Sequence, residues 1–392
     1  MLTKAEKAAI ALLRYSVTGE EAASEFRCLT AAEALPLEKI ISINGILPTV
    51  YPCLDQLGPK AAGCLREKLC TAYYSSVSQS VLQDKEGKAF LSALSGAGFD
   101  SIPLKGWLLR TLYPDITRRS MADLDILVRN FDYPKIEAIA VSLGYTSSGD
   151  TVWKHVNFHK AEDDANVEVH RRLTDESGAV AKWEKDIFSR AVKEEGSEHI
   201  FRMSDEDFYI FHMLHLLKDF GNGKIGLRRI ADTWLYLEKY GDMDRAYLDK
   251  DFSEMEISEF VHRMEKLAAV CFGGETPDED SELLLHHACS YGIFGTMRSY
   301  KLGRIARMSK KTMRGGKLRS AMSSVFLPYG RMKTHYPVLK KAPILLPYCW
   351  CCRIVKYRHN MHSNLKRLDY SDIDQKEFDY MKKVLRAGGL KV

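Results

Sequence analysis

The sequence predicts an α+β protein in which one small α/β unit is set inside a mainly helical chain. Three observations carry that expectation. Apolar residues recur at helical spacing through residues 1 to about 95 and again from about 178 onward. Between those stretches the pattern changes to short apolar runs separated by turns. The 392 residues are 45% hydrophobic and 28% charged, an ordinary globular mix that excludes a disordered, collagenous or coiled-coil chain. The length suits two or three domains. The expected division is a helical region over 1–95, an α/β core over 96–200, a helical domain over 201–290 that closes the site, and a basic helical region over 291–392.

Taken in order, Ala5 to Leu13 and Leu37 to Ile43 have helical spacing, with Pro36 suited to a first helical position. Leu65 to Leu94 reads as a long helix with a possible break at Gly87. Phe99 to Leu104 and Leu124 to Val128 read as strands, with a short helix from Trp107 to Tyr113 stopped by Pro114. Tyr133 to Leu143 is an amphipathic helix closed by Gly144. Val156 to Lys160 and Val167 to Arg171 read as a hairpin around the acidic turn 162–166. Asp205 to Lys218, Leu227 to Tyr240 and Ile257 to Ala269 are the clearest later helices, the first opened by Ser204 with acids in its first turn.

Charge is unevenly distributed. The net charge is +5, yet no Asp or Glu lies between Glu282 and Asp369, a stretch rich in Lys and Arg. An acidic body therefore carries a basic C-terminal region. Such asymmetry suits either a polyanionic partner or docking onto the protein's own acids. The nine cysteines are an odd number, and Cys349, Cys351 and Cys352 crowd together, which does not suggest a disulfide framework. With no signal-peptide pattern, the expectation is a reducing, cytoplasmic setting. No run of about 18 apolar residues suggests a membrane span.

Chemistry concentrates in LKGWLLRTLYPDITRRSMADLDILV, residues 104–128. Asp123 and Asp125 stand two apart at a strand mouth, so strand alternation points both carboxylates to one face. Two such acids repel unless a cation sits between them, and hard oxygen ligands suit Mg²⁺. The plainer reading is a strand end with two solvated acids. Lys105-Gly106 follows a strand and opens a helix, where glycine admits a phosphate and lysine adds charge. Glu168 and His170 share a face opposite Val167 and Val169. An acid and a histidine on one strand face fit a third ligand beside a phosphate-contacting or proton-handling group. A satisfied structural histidine is the alternative.

Gly106, Asp123-Leu124-Asp125 and Glu168 together resemble the DNA polymerase beta-type nucleotidyltransferase superfamily. More closely, Leu-Lys-Gly, then Arg119, then Asp-Leu-Asp-Ile-Leu-Val, then Val-Glu-Val-His is similar to a family of largely uncharacterised bacterial nucleotidyltransferases. HMLHLLKDF with His212, His215 and Lys218, LRRIADTWLYL with Arg228 and Asp232, and the tail from Val325 to Tyr357 extend the likeness. The resemblance implies a mixed-sheet nucleotidyltransferase core. It implies transfer of a nucleoside monophosphate from an NTP to an acceptor, with release of pyrophosphate. Asp123, Asp125 and Glu168 would be catalytic and hold two Mg²⁺ ions. Lys105, Gly106, Arg119, His170 and Lys218 would bind the nucleotide. Two departures from the wider superfamily stand out: Trp107 follows Gly106 where Ser or Gly is usual, and the spacing from Gly106 to Asp123 is long.

The acceptor, whether small molecule or protein, is not legible. A non-catalytic nucleotide-binding or antitoxin-like module on the same fold is the alternative function. Ile344 to Tyr357, apolar and flanked by Lys340, Lys341, Lys356 and Arg358, suits either a buried helix or a peripheral contact with an anionic membrane. No sequence-specific nucleic-acid motif is present. Cys349 and Cys352 with His359 and His362 are too closely spaced for a zinc finger.

Overall fold

The computed structural model describes residues 2–21, 24–147, 154–174, 178–309, 312–356 and 370–392. The N-terminal helices are α1 (Lys4–Thr18), α2 (Ala31–Ile43), α3 (Leu47–Val50) and α4 (Pro59–Gly96). The expected start of α2 near Pro36 is corrected. Thr30 and Glu33 form a capping box that satisfies the first free N–H groups, so the helix begins at Ala31 and Pro36 lies inside it. The expected break at Gly87 does not occur either. α4 runs unbroken because Gly87 is there for packing: a Cβ would collide with the Trp107 ring.

The sheet follows. β1 (Ser101–Pro103), β2 (Leu124–Val128), β3 (Thr146–Ser147), β4 (His155–Lys160) and β5 (Ala165–His170) lie in the order β1-β2-β5-β4-β3. Only β2 and β5 are parallel, so the sheet is mixed, and their register sets Asp125 opposite Glu168. The short helix α5 (Gly106–Leu109) follows β1, and α6 (Tyr133–Ser142) follows β2. The hairpin β4–β5 is tied to α4 through Lys160, which pairs with Glu86 at 2.9 Å and Asp163 at 2.8 Å.

Strand alternation divides the sheet into two faces. Leu124, Ile126, Val128, Val156, Phe158, Val167 and Val169 pack on Phe90, Leu91 and Leu94 of α4 and on Ile136 and Ala140 of α6. Each such buried side chain contributes about 1.5–3 kcal/mol. The other face carries Asp125 on β2 and Glu168 with His170 on β5. Leu127 on that face joins the larger core.

That larger core draws on the rest of the chain: α7 (Ala179–Lys185), α8 (Ile187–Arg190), the ribbon β6 (Val192–Lys193) and β7 (Phe201–Arg202), α9 (Asp205–Gly221), α10 (Leu227–Lys239), α11 (Arg245–Glu254), α12 (Ser258–Phe272) and α13 (Glu279–Tyr291). Leu12 and Leu37 from the first helices, Phe208 and Tyr236, and Leu385 near the C-terminus belong to one cluster, so helices from both ends of the chain share a core. Ser204 caps α9 as expected, accepting from Asp207 N. Among the described residues, α14 (Met297–Met308), α15 (Met313–Val325), α16 (Tyr329–His335), α17 (Leu346–Lys356) and a last helix, Gln375–Ala387, follow.

All nine cysteines are free. Cys349 is buried beside Met332 and Leu339, and His359 and His362 lie outside the described residues. No helix among the described residues is long and apolar enough to cross a membrane.

The glycines of α4 give opposite expectations. Gly63 is exposed with open space around it, so Gly63→Ala should raise stability by about 0.5–1 kcal/mol. Gly87→Leu must displace Trp107 and should cost about 1–3 kcal/mol. Urea midpoints measure both; a tolerated Gly87→Leu would contradict the packing.

Candidate metal and nucleotide site

The loop joining β1 to β2 carries Lys105, Gly106, Arg119 and Asp123, and three elements pin it. Thr49 Oγ1, on α3, donates to Arg118 O at 2.7 Å. Gln83 Nε2, on α4, donates to Met121 O at 2.8 Å. Arg228 Nη1, on α10, donates to Ser120 O at 3.1 Å and to its Oγ at 2.9 Å. Deepest of all, Arg119 grips Asp232 of α10 with two bonds of 2.7 and 2.8 Å, and Tyr113 Oη donates to the same carboxylate at 3.0 Å. Burial would raise the Asp232 pKa, but Arg119 outweighs it and holds the group at about 2. Removing one partner from a buried pair of this kind costs about 3–5 kcal/mol. Gly106 has a packing reason too: a Cβ there would come within 2.8 Å of Met121 Cγ and 3.1 Å of Arg119 Nη1.

On this anchored loop and the neighbouring strands, Asp123, Asp125 and Glu168 converge, each offering a carboxylate oxygen within 4.8 Å of the others. The parallel pairing of β2 with β5 brings Glu168 alongside Asp125 from 43 residues later in the chain. Lys105 Nζ lies 2.8 Å from Asp125 Oδ1, and His170 Nε2 lies 2.7 Å from the same oxygen and 3.4 Å from Glu168 Oε2. Lys105 reaches in from a backbone held at φ 43°, a left-handed conformation costly for a side-chain-bearing residue.

The electrostatics are unequal across the three acids. Burial would raise the Asp125 pKa, but the His170 hydrogen bond and Lys105 outweigh it and push it well below the usual range. The His170 hydrogen bond, opposed by burial, lowers Glu168. Asp123 has no such donor among the described residues. Burial, then repulsion from Asp125 and Glu168, raises it to about 6, against the pull of Lys105 and His170. For His170, burial works against the charge and is outweighed by Asp125 and Glu168, so its pKa rises.

A divalent cation fits this set. Three hard oxygen donors on one side, with one acid left uncompensated, match the preference of Mg²⁺ for carboxylates plus exchangeable ligands. A second group, His155, Glu168 and His170, could also hold an ion. It suits a hard cation less well, because His170 favours its charged form and is engaged as a donor to Asp125.

The five residues Lys105, Asp123, Asp125, Glu168 and His170 therefore meet. Arg119 does not reach the carboxylates; its guanidinium is committed to Asp232, with Nη1 beside Gly106. Lys218 is exposed on α9, and its charge is felt at His215. It and Lys105 both lower the pKa of His215, after burial and Arg229. Sequence reading missed His155 and Asn157, which sit opposite His170 and Glu168 on β4. His155 Nδ1, Asn157 Oδ1 and His170 Nδ1 are buried with no hydrogen-bond partner among the described residues. The alternation His155-Val156-Asn157-Phe158 was a signal that could have found them.

Past the C-terminal ends of β2 and β5 lies a cleft of about 480 Å³. Arg129, Arg171, Arg172 and Lys185 line it together with Phe131 and Phe188. Arg171 stacks over Phe131 at 4.5 Å. The one acid lining the cleft, Glu184, already accepts from Leu173 N and from Thr174 N and Oγ1. Along β2 the cleft begins at Leu127, about 7 Å from Asp125 at 3.3 Å per residue.

Repulsion at Asp123 has a measurable sign. Its folded pKa of about 6 lies above the ordinary 3.8, so the folded state binds more protons between those values. Stability of the metal-free protein should therefore fall as pH rises through that window. Asp123→Asn should melt higher than wild type at pH 8 in chelator, with the gap closing below about pH 4. Added Mg²⁺ should raise the wild-type midpoint and leave that of the variant unchanged. Equal melting of the two proteins at pH 8 would contradict this picture.

The family model described as uncharacterised nucleotidyltransferase matches residues 32–273, well over half of the chain and the whole of the site. No curated protein and no solved structure matches. The match spans the pinned loop, the three acids and the helices that hold them, and so this chain belongs to the uncharacterised nucleotidyltransferase family.

Proposed function

We propose that the protein is a Mg²⁺-dependent transferase of the polymerase beta type that moves a nucleoside monophosphate from an NTP to an acceptor. The observation that carries this reading is the convergence of Asp123, Asp125 and Glu168 within 4.8 Å. These three residues would hold the metal. Magnesium there would neutralise the triphosphate and lower the pKa of an acceptor hydroxyl.

The chain's own residues supply position and charge, which is most of what such transfer needs. Lys105, already 2.8 Å from Asp125, places an ammonium beside the site for the triphosphate. His170 holds Asp125 and Glu168 ionised and in place. Arg119 acts through Asp232 as a positioning residue for the loop. In the reaction the acceptor oxygen bonds to the α phosphorus and the bond to the bridging oxygen breaks. Pyrophosphate leaves with the electron pair, and the acceptor proton passes to solvent. The cationic cleft past β2 and β5 supports an acceptor that carries an anionic group.

The test uses α-labelled NTPs with panels of small acceptors, anionic ones included, and of proteins. Wild type should transfer label with Mg²⁺ and lose it in chelator. Asp123→Ala with Asp125→Ala should remove both transfer and metal-dependent NTP binding, a loss of at least about 10³-fold. Lys105→Ala should weaken NTP binding about tenfold or more. Metal-dependent NTP affinity retained in the double variant would overturn the proposal. NTP binding without transfer to any acceptor would favour a non-catalytic nucleotide-binding module.

A further inference from the structure

The basic C-terminal region divides into two parts by what its cations meet. In α14, Arg298 pairs with Glu377 at 2.7 Å and with Asp372 at 3.6 Å, and Lys301 also reaches Asp372 at 3.6 Å. This part docks on the protein's own acids. In the part from α16 to α17, three lysines stand apart from any such acid. Lys333, Lys340 and Lys341 are exposed and pair with no carboxylate among the described residues.

That second part has its own small core. Met332, Leu339 and Cys349 are buried in it, with Leu327, Tyr336, Leu346 and Trp350 packed around them. Trp350 Nε1 donates to Leu327 O at 2.9 Å, and Tyr329 Oη to Leu339 O at 2.9 Å. The inner side of α17 is thereby occupied. Its outer side is apolar all the same. Tyr348 is 67% exposed, Val355 60%, and Ile344 in the preceding turn 88%. With exposed Cys351, these stand at positions 344, 348, 351 and 355, one stripe of a helix. Of the 17 large apolar side chains exposed among the described residues, ten lie from Leu318 to Val355. Clustering of that kind marks an interaction surface, where scattered exposure would not.

We propose that this surface, centred on α17, rests on an anionic lipid bilayer. The stripe Ile344, Tyr348 and Val355 enters the boundary between headgroups and acyl chains. Lys333, Lys340, Lys341 and Lys356 meet the anionic headgroups. An apolar stripe flanked by lysines, with no acid from residue 283 to 368, fits that boundary and opposes an acidic bilayer nowhere. At 11 residues α17 lies on a bilayer and cannot span one. Nucleic acid fits less well, because seven of those ten side chains are aliphatic and only Phe326, Tyr329 and Tyr348 offer rings for base stacking. The surface lies outside the residues that match the family, so this inference is independent of the transferase reading.

The experiment is co-sedimentation of the full-length protein with vesicles. One set is phosphatidylcholine alone; the other adds phosphatidylglycerol. Wild type should sediment with the anionic vesicles only, and less in high salt. Tyr348→Asp with Val355→Asp, and separately Lys340→Glu with Lys341→Glu, should each lower binding about tenfold or more while circular dichroism stays unchanged. Failure to sediment with anionic vesicles overturns the proposal. So does binding that survives the Tyr348 and Val355 changes, or binding of RNA or DNA that outcompetes the vesicles.

Discussion

Repulsion among three carboxylates is the constraint around which the acidic site is arranged. Left alone in a half-buried pocket, Asp123, Asp125 and Glu168 would drive one another toward protonation. The fold compensates two of them with Lys105 and His170 and leaves Asp123 without a donor. That imbalance is what a divalent cation would relieve. It also explains an arrangement that is costly for stability: a lysine at positive φ and three buried polar atoms on β4 and β5 that lack partners among the described residues.

Holding like charges together needs rigid supports, and these come from distant parts of the chain. The parallel register of β2 and β5 sets the spacing of Asp125 and Glu168. The loop before β2 has little regular structure of its own, so it borrows order from α3, α4 and α10. The Arg119–Asp232 pair is the deepest of these ties, joining the sheet loop to the helical body. The family match runs from α2 to α12 and so takes in every one of these supports, α3, α4 and α10 included. The basic segment beyond it is built differently, with a small private core and apolar side chains turned outward.

Much of this was legible in the sequence. Period-two alternation around Asp123 and Asp125, and again around Glu168 and His170, marked two strands whose polar faces would meet. The helices were visible wherever caps and apolar spacing agreed, as at Ser204. Three things were hidden, each because it depends on residues far apart. Arg119 looked like a phosphate ligand until Asp232, 113 residues on, claimed its guanidinium. Gly87 looked like a helix break because nothing local announces the Trp107 ring above it. His155 and Asn157 carry a period-two signal of their own. They gain meaning only when pairing with β5 sets them against His170 and Glu168.

The account stands or falls on where a divalent ion binds. The most direct measurement is anomalous scattering from crystals soaked in Mn²⁺, a hard ion that can replace Mg²⁺. The account predicts an anomalous peak within coordinating distance of Asp123, Asp125 and Glu168, with the Lys105 ammonium moved off Asp125. A peak lodged instead between His155 and His170, or no peak near the three acids, would contradict it.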